Sequence, residues 1–103
     1  MKIGVLISGR GSNLKALIES QENGTLGAEI CTVISNVPQV MGLKIADDRQ
    51  IENHVVDHQN YGSRELFEDE LNSILQASDI NLICLAGFMR ILTSNFIKKW
   101  ETK

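Results

Sequence analysis

A chain of 103 residues with one proline, 43% hydrophobic and 22% charged side chains is long enough for one small packed domain, and excludes a disordered or low-complexity protein. Its net charge of −3, with ten basic residues scattered along the chain, argues against a nucleic-acid or anionic-membrane surface. The apolar run at residues 3–8 is far too short to cross a bilayer and lacks a signal-peptide cleavage pattern, so a cytoplasmic protein is expected.

Residues 2–8 form a β-branched, nearly continuous apolar run, the pattern of a strand buried on both faces. A glycine turn follows, and Leu14, Leu17 and Ile18 then recur at helical spacing, with Ser12 or Asn13 expected as N-cap and the helix ending at Asn23-Gly24. The unit repeats: residues 28–35 read as a second strand, and Met41, Leu43, Ile45 and Ala46 as a weaker helix ending near Asn53. A short third strand is expected at residues 54–57. Ser63 opens a helix whose apolar face is Leu66, Phe67, Leu71, Ile74 and Leu75, with Glu68, Asp69 and Glu70 as a partly solvated acidic stretch. Residues 80–86 give a fourth strand, and an amphipathic segment from Thr93 carries Phe96, Ile97 and Trp100. Cys31 and Cys84 lie in apolar stretches and read as reduced, small hydrophobic residues, with neither a disulfide nor a metal site expected.

Strands alternating with helices imply right-handed βαβ units: an α/β fold, Rossmann-like and doubly wound around a mostly parallel sheet. Ligands of such sheets bind beyond the carboxyl ends of the strands, where the strand order reverses. With the order 3-2-1-4 that crevice lies between strands one and four. It is flanked by the loops at residues 8–13 and 86–92.

The first loop, Gly9-Arg10-Gly11-Ser12-Asn13, joins a strand to a helix N-terminus, where free backbone N–H groups and the positive dipole end favour an anion. Leu14 stands at the third glycine position of a dinucleotide fingerprint, strand two ends without an acidic residue, and no Gly-Lys-Ser/Thr follows. NAD and nucleoside triphosphates are therefore disfavoured. A single phosphate and an ordinary capped turn both remain open at this point. On the phosphate reading, Gly11→Val weakens binding of a phosphorylated ligand and leaves the fold intact. The second loop, Ala86-Gly87-Phe88-Met89-Arg90-Ile91-Leu92, is largely apolar at the ligand edge and suits either a flat heterocycle or a buried connection.

Together, Gly-x-Gly-Ser-Asn after strand one and Ala-Gly-Phe-Met-Arg-Ile-Leu after strand four resemble the phosphoribosylglycinamide formyltransferases, over essentially the whole chain. The resemblance implies that residues 1–103 are the nucleotide- and folate-binding, amino-terminal half of that fold. Gly11, Ser12 and Asn13 match the positions that hold the phosphate of glycinamide ribonucleotide. Met89, Arg90, Ile91 and Leu92 match those that bind the co-substrate 10-formyltetrahydrofolate, and Arg64 matches a further folate-contacting arginine. A cation at a helix start opposes the helix dipole, and the anionic folate tail that the resemblance implies, held by two parallel hydrogen bonds, would explain Arg64; without the resemblance a solvated surface arginine stays equally open.

In the family an Asn, a His and an Asp carry the acyl-transfer chemistry, from an Asn-x-His-Pro-Ser segment and a later loop that match nothing up to Lys103. No catalytic residue is assigned, His54 and His58 match no motif position, and the isolated chain is expected to be inactive without a carboxyl-terminal half. Exposed apolar surface near Phe96 and Trp100 is expected if such a half docks there. The related formyltetrahydrofolate hydrolases need no ribonucleotide phosphate cradle, so the first loop argues for the transferase. A non-catalytic nucleotide-binding module is the remaining alternative.

Overall fold

The computed structural model describes residues 1–102. Strand β1 (Lys2–Ile7) leads into helix α1 (Ser12–Glu22), β2 (Glu29–Ser35), α2 (Met41–Asp48) and β3 (Glu52–Val55). After a 3-10 turn at His58–Asn60 come α3 (Arg64–Ala77), β4 (Leu82–Leu85), α4 (Ser94–Lys99) and the two-residue β5 (Glu101–Thr102). The sheet order is β3-β2-β1-β4-β5, and every pairing is parallel. The expected 3-2-1-4 order holds, and β5 extends it.

Alternate residues of the central strands feed two cores. Ile3, Val5, Ile7, Val33 and Cys84 pack beneath Leu14 and Ile18 of α1 and Ala46 of α2. On the other face Leu6, Ile34 and Ile83 pack against Phe67, Leu71 and Leu75 of α3, with Phe96 and Trp100. A parallel sheet covered on both faces needs apolar side chains at successive positions, which is why β1 reads as a continuous run.

Several boundaries differ from expectation. Gly11, with φ of 82°, is the N-cap of α1, and no side chain caps that helix, so neither Ser12 nor Asn13 does so. The left-handed conformation turns the chain one residue early, and glycine adopts it without steric penalty. Helix α2 stops at Asp48 because Gln50 takes φ of 59°, with Ile51 N–H returning to the Ala46 carbonyl. Strand β3 therefore starts at Glu52 rather than His54, and ends before Asp57, whose carboxylate accepts from Gln59 N–H to open the 3-10 turn. In α3 the Ser63 cap is present, its Oγ accepting from Leu66 N–H, but Leu66 is 54% exposed while Glu68 is only 5% exposed. Glu68 is not part of a solvated acidic stretch. Phe96 and Trp100 are likewise core residues, with Trp100 Nε1 donating to Asn72 Oδ1 at 2.7 Å, so the exposed apolar surface near them comes from Ile97, 42% exposed, and not from their own rings.

Candidate functional site

Because β1 connects towards β2 on one side while β4 lies on the other, the chain reverses direction across the sheet between β1 and β4, and a cleft opens at their carboxyl ends. It has a volume of about 410 Å³ and is lined by residues 8–13 together with Ala86, Gly87 and Met89. The two loops singled out in the sequence thus face each other. Gly87, at φ of 77°, holds its backbone close to Asn13: a Cβ there would lie 3.8 Å from Asn13 Nδ2.

The first loop is fixed from below by α2. Gly42 N–H donates to the Gly9 carbonyl at 3.1 Å, and a Cβ on Gly11 would lie 2.6 Å from Gly42 Cα. Two glycines are needed where these backbones touch. Gly42 was not identified from sequence, although an isolated glycine inside a helical pattern is a signal of close backbone approach. The loop ends at the uncapped N-terminus of α1, where backbone N–H groups and the dipole suit an anion. Arg10 is exposed at the cleft and has no ion pair among the described residues.

The second loop divides its residues between two depressions. Met89, 78% exposed, borders the main cleft. Arg90 and Ile91 line an adjoining pocket of about 220 Å³ with His58, Tyr61, Ser63 and Arg64. The structure therefore brings Arg64 and Arg90 to one depression, although they lie far apart in sequence. Leu92 lines neither space and packs, half-buried, against the α3-side core. Met89 and Ile91, with Ile91 73% exposed, present apolar surface beside two guanidinium groups that have no ion pair among the described residues. This combination fits a flat heterocycle carrying a carboxylate tail.

A polar relay crosses the strand ends beneath the cleft. Met89 N–H donates to Ser8 Oγ at 2.8 Å, Ser8 Oγ donates to Asn36 Oδ1, and Asn36 Nδ2 donates to His58 Nδ1 at 3.2 Å. Asn36 is 2% exposed, and these bonds satisfy its buried amide. In the sequence Asn36 stands out only as a non-acidic residue after strand two. Its position after a buried strand, at the switch point, was the available clue. His54 lies outside this region and pairs with Glu52 at 2.8 Å. Of the two cysteines, Cys84 is buried and Cys31 partly so, with burial and nearby Glu29 raising the Cys31 thiol pKa.

A parallel, doubly wound sheet with a glycine turn and an apolar loop across its switch point defines a Rossmann-like domain. The chain belongs to the formyl transferase family, which matches it over residues 1–103. It is 50% identical over 103 residues to the trifunctional purine biosynthetic protein adenosine-3 of Gallus gallus, covering 100% of this chain and 10% of that protein. It is 38% identical over 102 residues to phosphoribosylglycinamide formyltransferase of Haemophilus influenzae, covering 99% of this chain and 48% of the relative. The solved phosphoribosylglycinamide formyltransferase of Coxiella burnetii superimposes with a TM-score of 0.91 at 42% identity, over 98% of this chain and 47% of that one. The chain thus spans about half of the length of the phosphoribosylglycinamide formyltransferase it matches, and a tenth of the trifunctional protein.

Proposed function

We propose that this chain forms the nucleotide- and folate-binding part of an enzyme that transfers a formyl group from 10-formyltetrahydrofolate to the amine of glycinamide ribonucleotide, in purine biosynthesis in the cytoplasm. The observation that carries the reading is the single cleft into which the glycine loop and the apolar loop both open. The names of the relatives are those of transferases, which favours this over the hydrolase.

In this reading, Gly11, Ser12 and Asn13 receive the ribonucleotide phosphate at the start of α1. Met89 and Ile91 flank the folate ring system, and the backbone at residues 89–92 reads its edge. Arg64 and Arg90 take the carboxylates of its glutamate tail. The folate supplies the electrophilic formyl carbon, and these residues bind and orient the two reactants so that the amine approaches it.

Isothermal titration of wild-type protein and Arg64→Ala with glycinamide ribonucleotide and with tetrahydrofolate tests this assignment. Loss of one charge-assisted bidentate contact predicts about tenfold weaker folate binding and unchanged ribonucleotide binding. Equal folate affinity in both proteins removes Arg64 from the tail site. Absence of ribonucleotide binding by the wild type removes the transferase reading.

A further inference from the structure

Loops that read a ligand through their main chain must hold that main chain still, and residues 86–93 are hydrogen-bonded by side chains at both ends of the segment that follows Phe88. At the near end, Met89 N–H donates to Ser8 Oγ at 2.8 Å, with Ser8 itself bonded to buried Asn36. At the far end, both carboxylate oxygens of Glu68 are used: Oε2 accepts from Thr93 N–H and Oε1 from the Thr93 hydroxyl, each at 2.6 Å. Thr93 in turn caps α4, its Oγ accepting from Phe96 N–H, and Phe96 is sunk in the core.

Glu68 is 5% exposed and makes no ion pair among the described residues. Burying a carboxylate is unfavourable unless its hydrogen bonds are made, and both of the bonds shown here go to the residue that ends the loop. Glu68 also lies one helical turn after Arg64, so the two project from neighbouring positions on α3. One helix therefore sets both a ligand-facing guanidinium and the far end of the apolar loop.

Building on the functional reading above, we infer that Ser8 and Glu68 are positioning residues for folate recognition: they pin residues 89–93 at Met89 and Thr93, so that the loop backbone meets the folate already ordered. Neither side chain needs to touch the ligand. A loop fixed beforehand does not lose its freedom on binding, which raises affinity for the ligand it reads and leaves a ligand held elsewhere unaffected.

The test titrates tetrahydrofolate and glycinamide ribonucleotide separately into the protein as its cell makes it, for wild type, Glu68→Ala, Glu68→Gln, Thr93→Val and Ser8→Ala. Glu68→Ala and Ser8→Ala are expected to weaken tetrahydrofolate binding about tenfold each, since each leaves loop N–H groups unpaired. Thr93→Val, which removes only the hydroxyl, is expected to weaken it less. Glu68→Gln keeps an acceptor for Thr93 N–H and recovers most of the loss. Ribonucleotide affinity of Glu68→Ala stays within about twofold of wild type, because the phosphate cradle shares no partner with Glu68. If Glu68→Ala does not fold, Ser8→Ala and Thr93→Val decide the matter by the same readout. Wild-type folate affinity in folded variants, or equal loss of both ligands by Glu68→Ala, overturns the positioning role alone. A wild-type protein without affinity for tetrahydrofolate overturns the functional reading itself.

Discussion

Gly9 and Gly11 stand two residues apart in the same turn and make opposite demands on a side chain. Gly11 carries φ of 82°, and a Cβ there would lie 2.6 Å from Gly42 Cα, so substitution strains the backbone and pushes α2 from the loop. Gly9 has nothing within 4 Å of its would-be Cβ and borders the cleft. Gly11→Ala is therefore expected to lose about 1–3 kcal/mol of stability, whereas Gly9→Ala keeps the wild-type melting temperature and, under the proposed function, weakens ribonucleotide binding by crowding the phosphate. Thermal melts with parallel titrations check both, and equal melting temperatures for the two variants would count against the close approach to Gly42. The expectation that Gly11→Val spares the fold does not survive this contact. The glycine pattern of the loop was legible because it is local. The partner that makes Gly11 indispensable lies 31 positions away, and nothing in a window of sequence links them.

Among the elements expected from the sequence, β3 was the least legible, and the reason lies in its side chains. Glu52, Asn53, His54 and Val55 are all at least partly exposed, so they show neither alternation nor an apolar run. Their pairing comes from β2 instead, with Thr32 opposite Glu52 and Ser35 opposite Val55. The Glu52 carboxylate accepts from His54 Nε2 at 2.8 Å, Ser78 Oγ at 3.1 Å and Thr32 Oγ1 at 3.3 Å, tying β3 to β2 and to the end of α3. The hydrogen bond from His54, helped by those from Ser78 and Thr32, lowers its pKa from the ordinary 4.5 against the opposing effect of burial. A lowered folded-state pKa means that the folded chain binds this proton more weakly than the unfolded chain. The stabilisation is complete above the ordinary value and is lost as pH falls through the lower, folded one. Urea unfolding of wild type and Glu52→Gln between about pH 6 and about pH 3 should show a steeper acid loss of stability in the wild type. Parallel curves would mean that the contact contributes nothing in solution. The α3 face shows a related difficulty: Leu66 and Glu68 exchange their expected environments because Glu68 has Thr93 to bond and Leu66 has no core to enter.

Across the whole molecule, the topology was the most legible feature, because handedness and strand burial leave few ways to arrange four parallel strands. Only β5, two residues long, escaped, being too short to carry a pattern. The sheet order brings both loops to one cleft, and the character of that cleft limits what the chain does by itself. Its lining, residues 8–13 with Ala86, Gly87 and Met89, holds among the described residues one ionisable side chain, Arg10, whose guanidinium carries hydrogen-bond donors and no acceptor. Formyl transfer to an amine requires a proton to leave the nucleophile and a donor for the developing oxyanion. Backbone N–H groups supply donors here, but no lining side chain accepts a proton near neutral pH, and His58 is separated from the cleft by Asn36 and Ser8. Under the function proposed above, the 103-residue polypeptide is therefore expected to bind ribonucleotide and produce no formylated product above the uncatalysed rate. An assay of formyl transfer with 10-formyltetrahydrofolate, run beside the binding titration, separates the outcomes. Binding without turnover agrees with a cleft that positions reactants and takes its proton acceptor from elsewhere. Turnover by the 103 residues alone would require a base within them, and His58, which lines the pocket beside Arg64 and Arg90, would be the first residue to replace.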